Sequence, residues 1–187
     1  MSADLALAKK VAAMFPMPRW KYGAWDRDAR KIDCSKFLEM VVAARLDVID
    51  KDTRVGNTLG KDFRKEINIS QGEMAGHDAL FDAVVAGHPW THGVVYACWQ
   101  RGLVEYVPAQ HVAPGMLFQG WWLRNGKVSG HQGVVYDVER TMLRGGKEQI
   151  KIALLGSHKS MGGVCFTPVK YVVETGVARR IYLARWK

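Results

Sequence analysis

The hydrophobic period of this chain changes once, near Pro108, and that change limits the possible folds more than any other feature. Before it, apolar residues recur every three or four positions. After it, they gather in short β-branched and aromatic runs separated by turn residues. The first texture buries one stripe of a helix, and the second suits strands. Helices followed by strands, without alternation, give α+β organisation: N-terminal helices packed on an antiparallel sheet.

Upstream of Pro108, Leu5, Ala8, Val11 and Ala12 predict an amphipathic helix within Met1–Phe15, ended by Pro16 and Pro18. Trp20–Lys31 reads as a loop rich in aromatics and charges. Phe37, Leu38, Val41 and Val42 predict a helix from Cys34 to about Val48. The stretch from Asp50 to about Gly76 is polar and glycine-rich, a long loop with one short helix near Phe63. Asp78–Ala86 reads as helical, and a further helix starts at Pro89 and stops at Gly102. Downstream, Met116–Leu123, His131–Val138, Gln149–Leu155 and Gly163–Phe166 are predicted strands, with turns at Asn125-Gly126, Ser129-Gly130 and Gly145-Gly146. Tyr171–Val173 and Arg180–Ala184 are expected to add edge strands. The 187 residues suit a single domain, 1–187, with residues 50–88 as an insertion.

The net charge of +9 favours polyanionic partners such as nucleic acid, anionic lipid or a bacterial cell wall, and serves solubility equally well. Cys34, Cys98 and Cys165 are too few for a disulfide scaffold, and no pair has zinc-ligand spacing. No apolar run approaches the roughly 18 residues of a transmembrane helix. Met1–Phe15 does not read as a signal peptide, because Asp4 comes early and Lys9 and Lys10 interrupt the apolar stretch.

Three residue types point to chemistry. Cys34 stands at the head of a predicted helix, where free N–H groups and a positive partial charge favour a thiolate and can hold an oxyanion. Equally, it is a small buried hydrophobe beside Phe37 and Leu38. His131 opens a strand, Gly130-His131-Gln132-Gly133-Val134-Val135-Tyr136, from which an imidazole could pair with that thiol. His92, in Thr91-His92-Gly93-Val94-Val95-Tyr96, repeats the same letters and is the rival base. A hairpin around Arg144-Gly145-Gly146 brings position 158 opposite His131, so His158, or else Ser157, is the candidate that orients the base. Both also fit a plain loop before Gly162-Gly163.

Trp20-Lys21-Tyr22-Gly23 followed by Asp33-Cys34-Ser35 resembles the signature of NlpC-type cell-wall peptidases. Val112-Ala113-Pro114-Gly115-Met116-Leu117-Phe118 resembles that family's Pro-Gly strand start. Gly130-His131-Gln132-Gly133-Val134-Val135-Tyr136 resembles its His-x-Gly strand, and Ser157-His158 falls where its third catalytic residue occurs. The blocks come in the family's order from Trp20 to Val164. The resemblance implies a papain-like core, Cys34 as nucleophile, His131 as base, and hydrolysis of peptide bonds in bacterial murein stem peptides, commonly next to D-glutamate. It implies no metal or organic cofactor. Trp20, Tyr22, Asp33 and Ser35 are then expected to bind substrate. The sequence departs from the pattern at Lys36, a charge expected near the site mouth, at Met116, and at Trp20, which lacks the hydroxyl of the family's tyrosine.

On this reading the chain acts in the periplasm or extracellular wall, delivered by a specialised secretion apparatus or in phage lysis. A toxin effector of this kind needs a cognate immunity protein. Two other readings stand beside it. One is a basic nucleic-acid-binding domain using Arg179, Arg180, Arg185 and Lys187 with Tyr182 and Trp186. The other is a papain-like acyltransferase or deamidase acting on a protein, since all these reactions begin with a thioester.

Overall fold

The computed structural model describes residues 2–47, 93–124, 127–168, 170–173 and 179–187. The expected insertion at 50–88 with its helices, the rival His92 and the Asn125-Gly126 turn lie outside the described residues.

The fold is α+β: among the described residues it has three α-helices and a seven-stranded antiparallel sheet. Helix α1 (Ala3–Ala13) buries Leu5, Ala8 and Val11, the stripe its spacing predicts. Ser2 caps it by accepting from the Leu5 N–H at 3.2 Å, and donates its own hydroxyl to the Pro114 carbonyl at 3.0 Å. Gly115, at φ +98°, lies so close to the Ser2 hydroxyl that a side chain there would collide with it. The Pro114-Gly115 turn is thus where the N-terminal helix docks on the sheet.

Helix α2 (Cys34–Arg45) is capped by Asp33, whose Oδ1 accepts from the Lys36 N–H at 2.7 Å. Phe37, Leu38, Met40 and Val42 are fully buried, each contributing roughly 1.5–3 kcal/mol relative to exposure. An ion pair of 3.1 Å between Asp4 and Arg45 joins α1 to α2. Helix α3 (Val94–Gln100) begins after an extended Gly93 rather than running on from Pro89 as expected, and ends before Gly102, whose φ of +69° is the left-handed turn expected of a glycine stop.

The strands are β1 (Lys21–Tyr22), β2 (Lys31–Ile32), β3 (Val104–Tyr106), β4 (Leu117–Arg124), β5 (Lys127–Met142), β6 (Glu148–His158), β7 (Gly163–Phe166), β8 (Tyr171–Val172) and β9 (Arg179–Trp186). The main sheet runs β3-β9-β4-β5-β6-β7, with β8 on the β6 edge beyond β7. Its inner face, with Leu117, Val134, Leu155 and Ala184, packs against the helices. The other face carries Phe118, Val135, Ile152, Leu154 and Leu183, packed against Val112, Met116 and Tyr171.

Three expectations are corrected. The C-terminal strand is interior, paired with β3 on one side and β4 on the other, because both neighbours need a partner that sequence order does not supply. Ser129-Gly130 is mid-strand rather than a turn: Gly130 faces Trp121 across the β4–β5 ladder, and the indole occupies the space where a Cβ would stand. Trp20–Lys31 is not wholly loop, since Lys21–Tyr22 and Lys31–Ile32 pair as two short parallel strands. The Gly145-Gly146 turn is present, both glycines at positive φ.

Candidate functional site

Cys34 is the first residue of α2, and its thiol is buried. The Gln132 and Cys34 backbone N–H groups and the Ser35 hydroxyl lie against the sulfur and favour its ionised form. The Gln132 N–H is available because the β5–β6 ladder ends at Val134–Leu155, short of Gln132. The thiol therefore lies one peptide unit from His131. Tyr22 brings its hydroxyl to the same sulfur; burial first, then the Cys34 and Asp33 charges, push the phenol up to about 12.

His131 and His158 meet, with ring centroids 4.4 Å apart. The ladder near the turn would place residue 159 opposite His131; a bulge between Val135 and Asp137 shifts the register by one, so that continuing from Val134–Leu155 places His158 there, near the position the hairpin predicts. Gln132 and His131 leave the strand on opposite faces. The Gln132 amide points toward the helices: its Nε2 donates to Ser35 Oγ at 3.1 Å and its Oε1 accepts from the Val94 N–H at 2.8 Å. The His131 ring instead lies 6.2 Å from the Tyr171 ring, on the face carrying Phe118 and Trp122. Nε2 of His131 and of His158 are both buried without a hydrogen-bond partner.

The expected thiolate–imidazolium pair is not the resting state. Burial, and then the Asp33 charge, push the Cys34 thiol up to about 11, outweighing the N–H groups of the helix start. Burial, and then His158, push His131 down to about 3. Burial lowers His158 as well. Thiol and imidazoles are therefore all neutral at pH 7.

The remaining candidates divide. Ser157 donates to the Ile32 carbonyl at 2.7 Å, anchoring the chain two residues before Cys34, so its proton is committed to structure. Asp33 caps α2, and Ser35 receives the Gln132 amide, so the side chains of both are engaged in positioning the helix. Lys36, expected at the mouth, is buried: its Nζ lies 3.2 Å from Glu39 and 5.1 Å from the centre of the Trp25 ring. Trp20 packs edge-on against Phe15 and stacks on Trp25. Gln132 is the residue that sequence reasoning missed. It stood as the variable position of His-x-Gly, and only its neighbours reveal its contacts.

Beside Tyr22 opens a cleft of about 700 Å³ lined by Met17, Pro18, Trp20, Lys21, Tyr22, Lys159, Met161 and Gly162. It forms where β1 lies against the turn before β7, the Tyr22 N–H donating to the Gly162 carbonyl at 2.7 Å. Among the described residues, no group of three or more His, Cys, Asp or Glu side chains is arranged to hold a metal ion, and no helix is long and apolar enough to cross a membrane. Of the basic C-terminal residues, Arg185 pairs with Glu105, and Arg45 of α2 lies over the Trp186 ring at 5.6 Å. No protein-family model, curated protein or solved structure matches the chain.

Proposed function

We propose that the chain is a cysteine hydrolase of papain-like architecture, cleaving amide bonds in bacterial peptidoglycan stem peptides. The observation that carries this reading is the surroundings of one sulfur. A helix-start thiol accepts from the Gln132 backbone N–H, next in the chain to His131, and a tyrosine hydroxyl joins the thiol to an open cleft, while His131 and His158 meet on the opposite face of β5. The ordered motifs from Trp20 to Val164 add the substrate class.

The proposed reaction requires β5 to rearrange around Gly130–Gly133 on substrate entry, because the His131 ring rests on the opposite face of the strand and must be brought to the sulfur. Nε2 takes the thiol proton as sulfur attacks the amide carbonyl carbon. The Cys34 backbone N–H stabilises the oxyanion. The carbon–nitrogen bond then breaks, His131 returns its proton to the leaving amine, and water hydrolyses the thioester. A neutral resting pair suits a proton transfer that occurs only with substrate bound, since His131 begins as a base and Cys34 as an acid. His158 holds the His131 ring.

The test is digestion of purified murein sacculi by wild-type and Cys34→Ala protein, with products identified by mass. New muropeptides from wild type only are expected, and His131→Ala should lower the rate at least about a hundredfold. Equal digestion by Cys34→Ala, or none by either protein, sinks the proposal.

A further inference from the structure

We infer that Cys165 and His158 form a second thiol–imidazole pair, a modification site for low-molecular-weight disulfides. The inference stands apart from the hydrolase reading, because its thiol is not Cys34 and its readout is not hydrolysis.

Side chains alternate between the two faces of a strand. On β7, Val164 packs with the helices in the inner core, so Cys165 stands on the other face. On β6, Ser157 points to the Ile32 carbonyl on the helix side, so His158 stands on the outer face too, with Leu154. Cys165 faces Gly156 directly across the β6–β7 ladder. Residues opposed in this way have Cβ atoms about 4.5–5.5 Å apart, but Gly156 brings none. The neighbouring ring uses that space: His158 Nε2 lies 3.5 Å from the point where a Cβ on Gly156 would stand. Cys165 is half-buried, whereas Cys34 and Cys98 are buried. His158 is 3% exposed, and its Nε2 has no hydrogen-bond partner. A buried nitrogen left unpaired costs stability. Here it is aimed over the residue that faces an accessible thiol.

Burial raises the Cys165 thiol and lowers the His158 imidazole, so both are neutral at pH 7. Such a pair needs a proton acceptor rather than a standing thiolate. In the proposed step the Cys165 S–H proton passes to His158 Nε2 as the sulfur attacks one sulfur of the incoming disulfide. A new S–S bond forms, the old one breaks, and the displaced thiolate takes the proton back from Nε2. One disulfide is consumed and one is made, so no other oxidant is required. Hydrogen peroxide is a poorer match, because it selects exposed thiols with low pKa.

The experiment exposes full-length protein to oxidised glutathione at neutral pH. Adduct formation is followed by intact mass, and the modified residue is located by peptide mapping. A single glutathionyl adduct on Cys165 is expected, and none in Cys165→Ser. His158→Gln should slow its formation at least about tenfold. Gly156→Ala should slow it as well, since the added methyl enters the space between Nε2 and the thiol while both groups remain. That variant carries the test if His158→Gln fails to fold. No adduct, an adduct on Cys34 or Cys98 instead, or equal rates in wild type and the folded variants would overturn the inference. So would oxidation by hydrogen peroxide that outruns the exchange at equal concentration.

Discussion

At Cys34, two demands of one helix start oppose each other. The helix needs an N-cap, and Asp33 supplies it by accepting the Lys36 N–H. The same carboxylate adds a negative charge beside the thiol and, with burial, outweighs the N–H groups that would favour a thiolate. The consequence is measurable as stability against pH. An unfolded imidazole takes up its proton near 6.5, but folded His131 refuses one until about 3. The unfolded state therefore binds more protons in that window, and stability falls as pH drops from about 6.5 toward 3. At the other end, the unfolded thiol ionises near 9.0 and the folded one near 11, so stability falls again as pH rises through that range. Between the two windows these groups leave it flat. Thermal denaturation from pH 4 to pH 8 should show a shallower acid-side loss for His131→Gln than for wild type, with His158 retaining part of it. An unchanged slope would mean that His131 titrates as a free imidazole.

At the scale of elements, glycines decide how β4 and β5 fit. Trp121 fills the space above Gly130, and Gly120, opposite His131, is hemmed by the rings of Phe118 and Trp122. Strands that carry large rings at one position need none at the facing one. Gly130→Val should therefore displace the Trp121 ring and cost about 1–3 kcal/mol in urea denaturation. Because Gly130 precedes His131, it should also lower the rate on sacculi more than its stability loss explains. A variant with wild-type midpoint would show that the ring moves freely. The same glycine explains why Ser129-Gly130 looked like a turn. A glycine marks either a bend or a close approach, and a single sequence does not tell which.

For the whole molecule, the position of β9 matters most. It lies between β3 and β4, so the last residues of the chain complete the middle of the sheet rather than its margin. Leu183 and Ala184 are buried on opposite faces of it. A chain truncated after residue 178 would leave β3 and β4 with unpaired edges and both faces with a gap. It should show no cooperative thermal transition, while a chain lacking only Lys187 should melt like wild type. A cooperative transition in the shorter chain would place β9 among dispensable elements.

The sequence by itself determined what depends on neighbours in the chain. Residue spacing marked α1 and α2, and turn chemistry marked the Gly145-Gly146 hairpin. The hairpin's arithmetic then brought His158 near His131, since antiparallel register follows from where the turn lies, and the bulge between Val135 and Asp137, which no turn residue announces, sets it by one residue. Tertiary structure decided what depends on packing and on distant partners. It put β9 in the interior, buried Lys36 beside Glu39, committed Ser157 to the Ile32 carbonyl and set Gln132 between α2 and α3. It also decided the protonation of the candidate pair. A helix start favours a thiolate in any sequence, but desolvation opposes it, and desolvation exists only once the surrounding chain has closed over the sulfur.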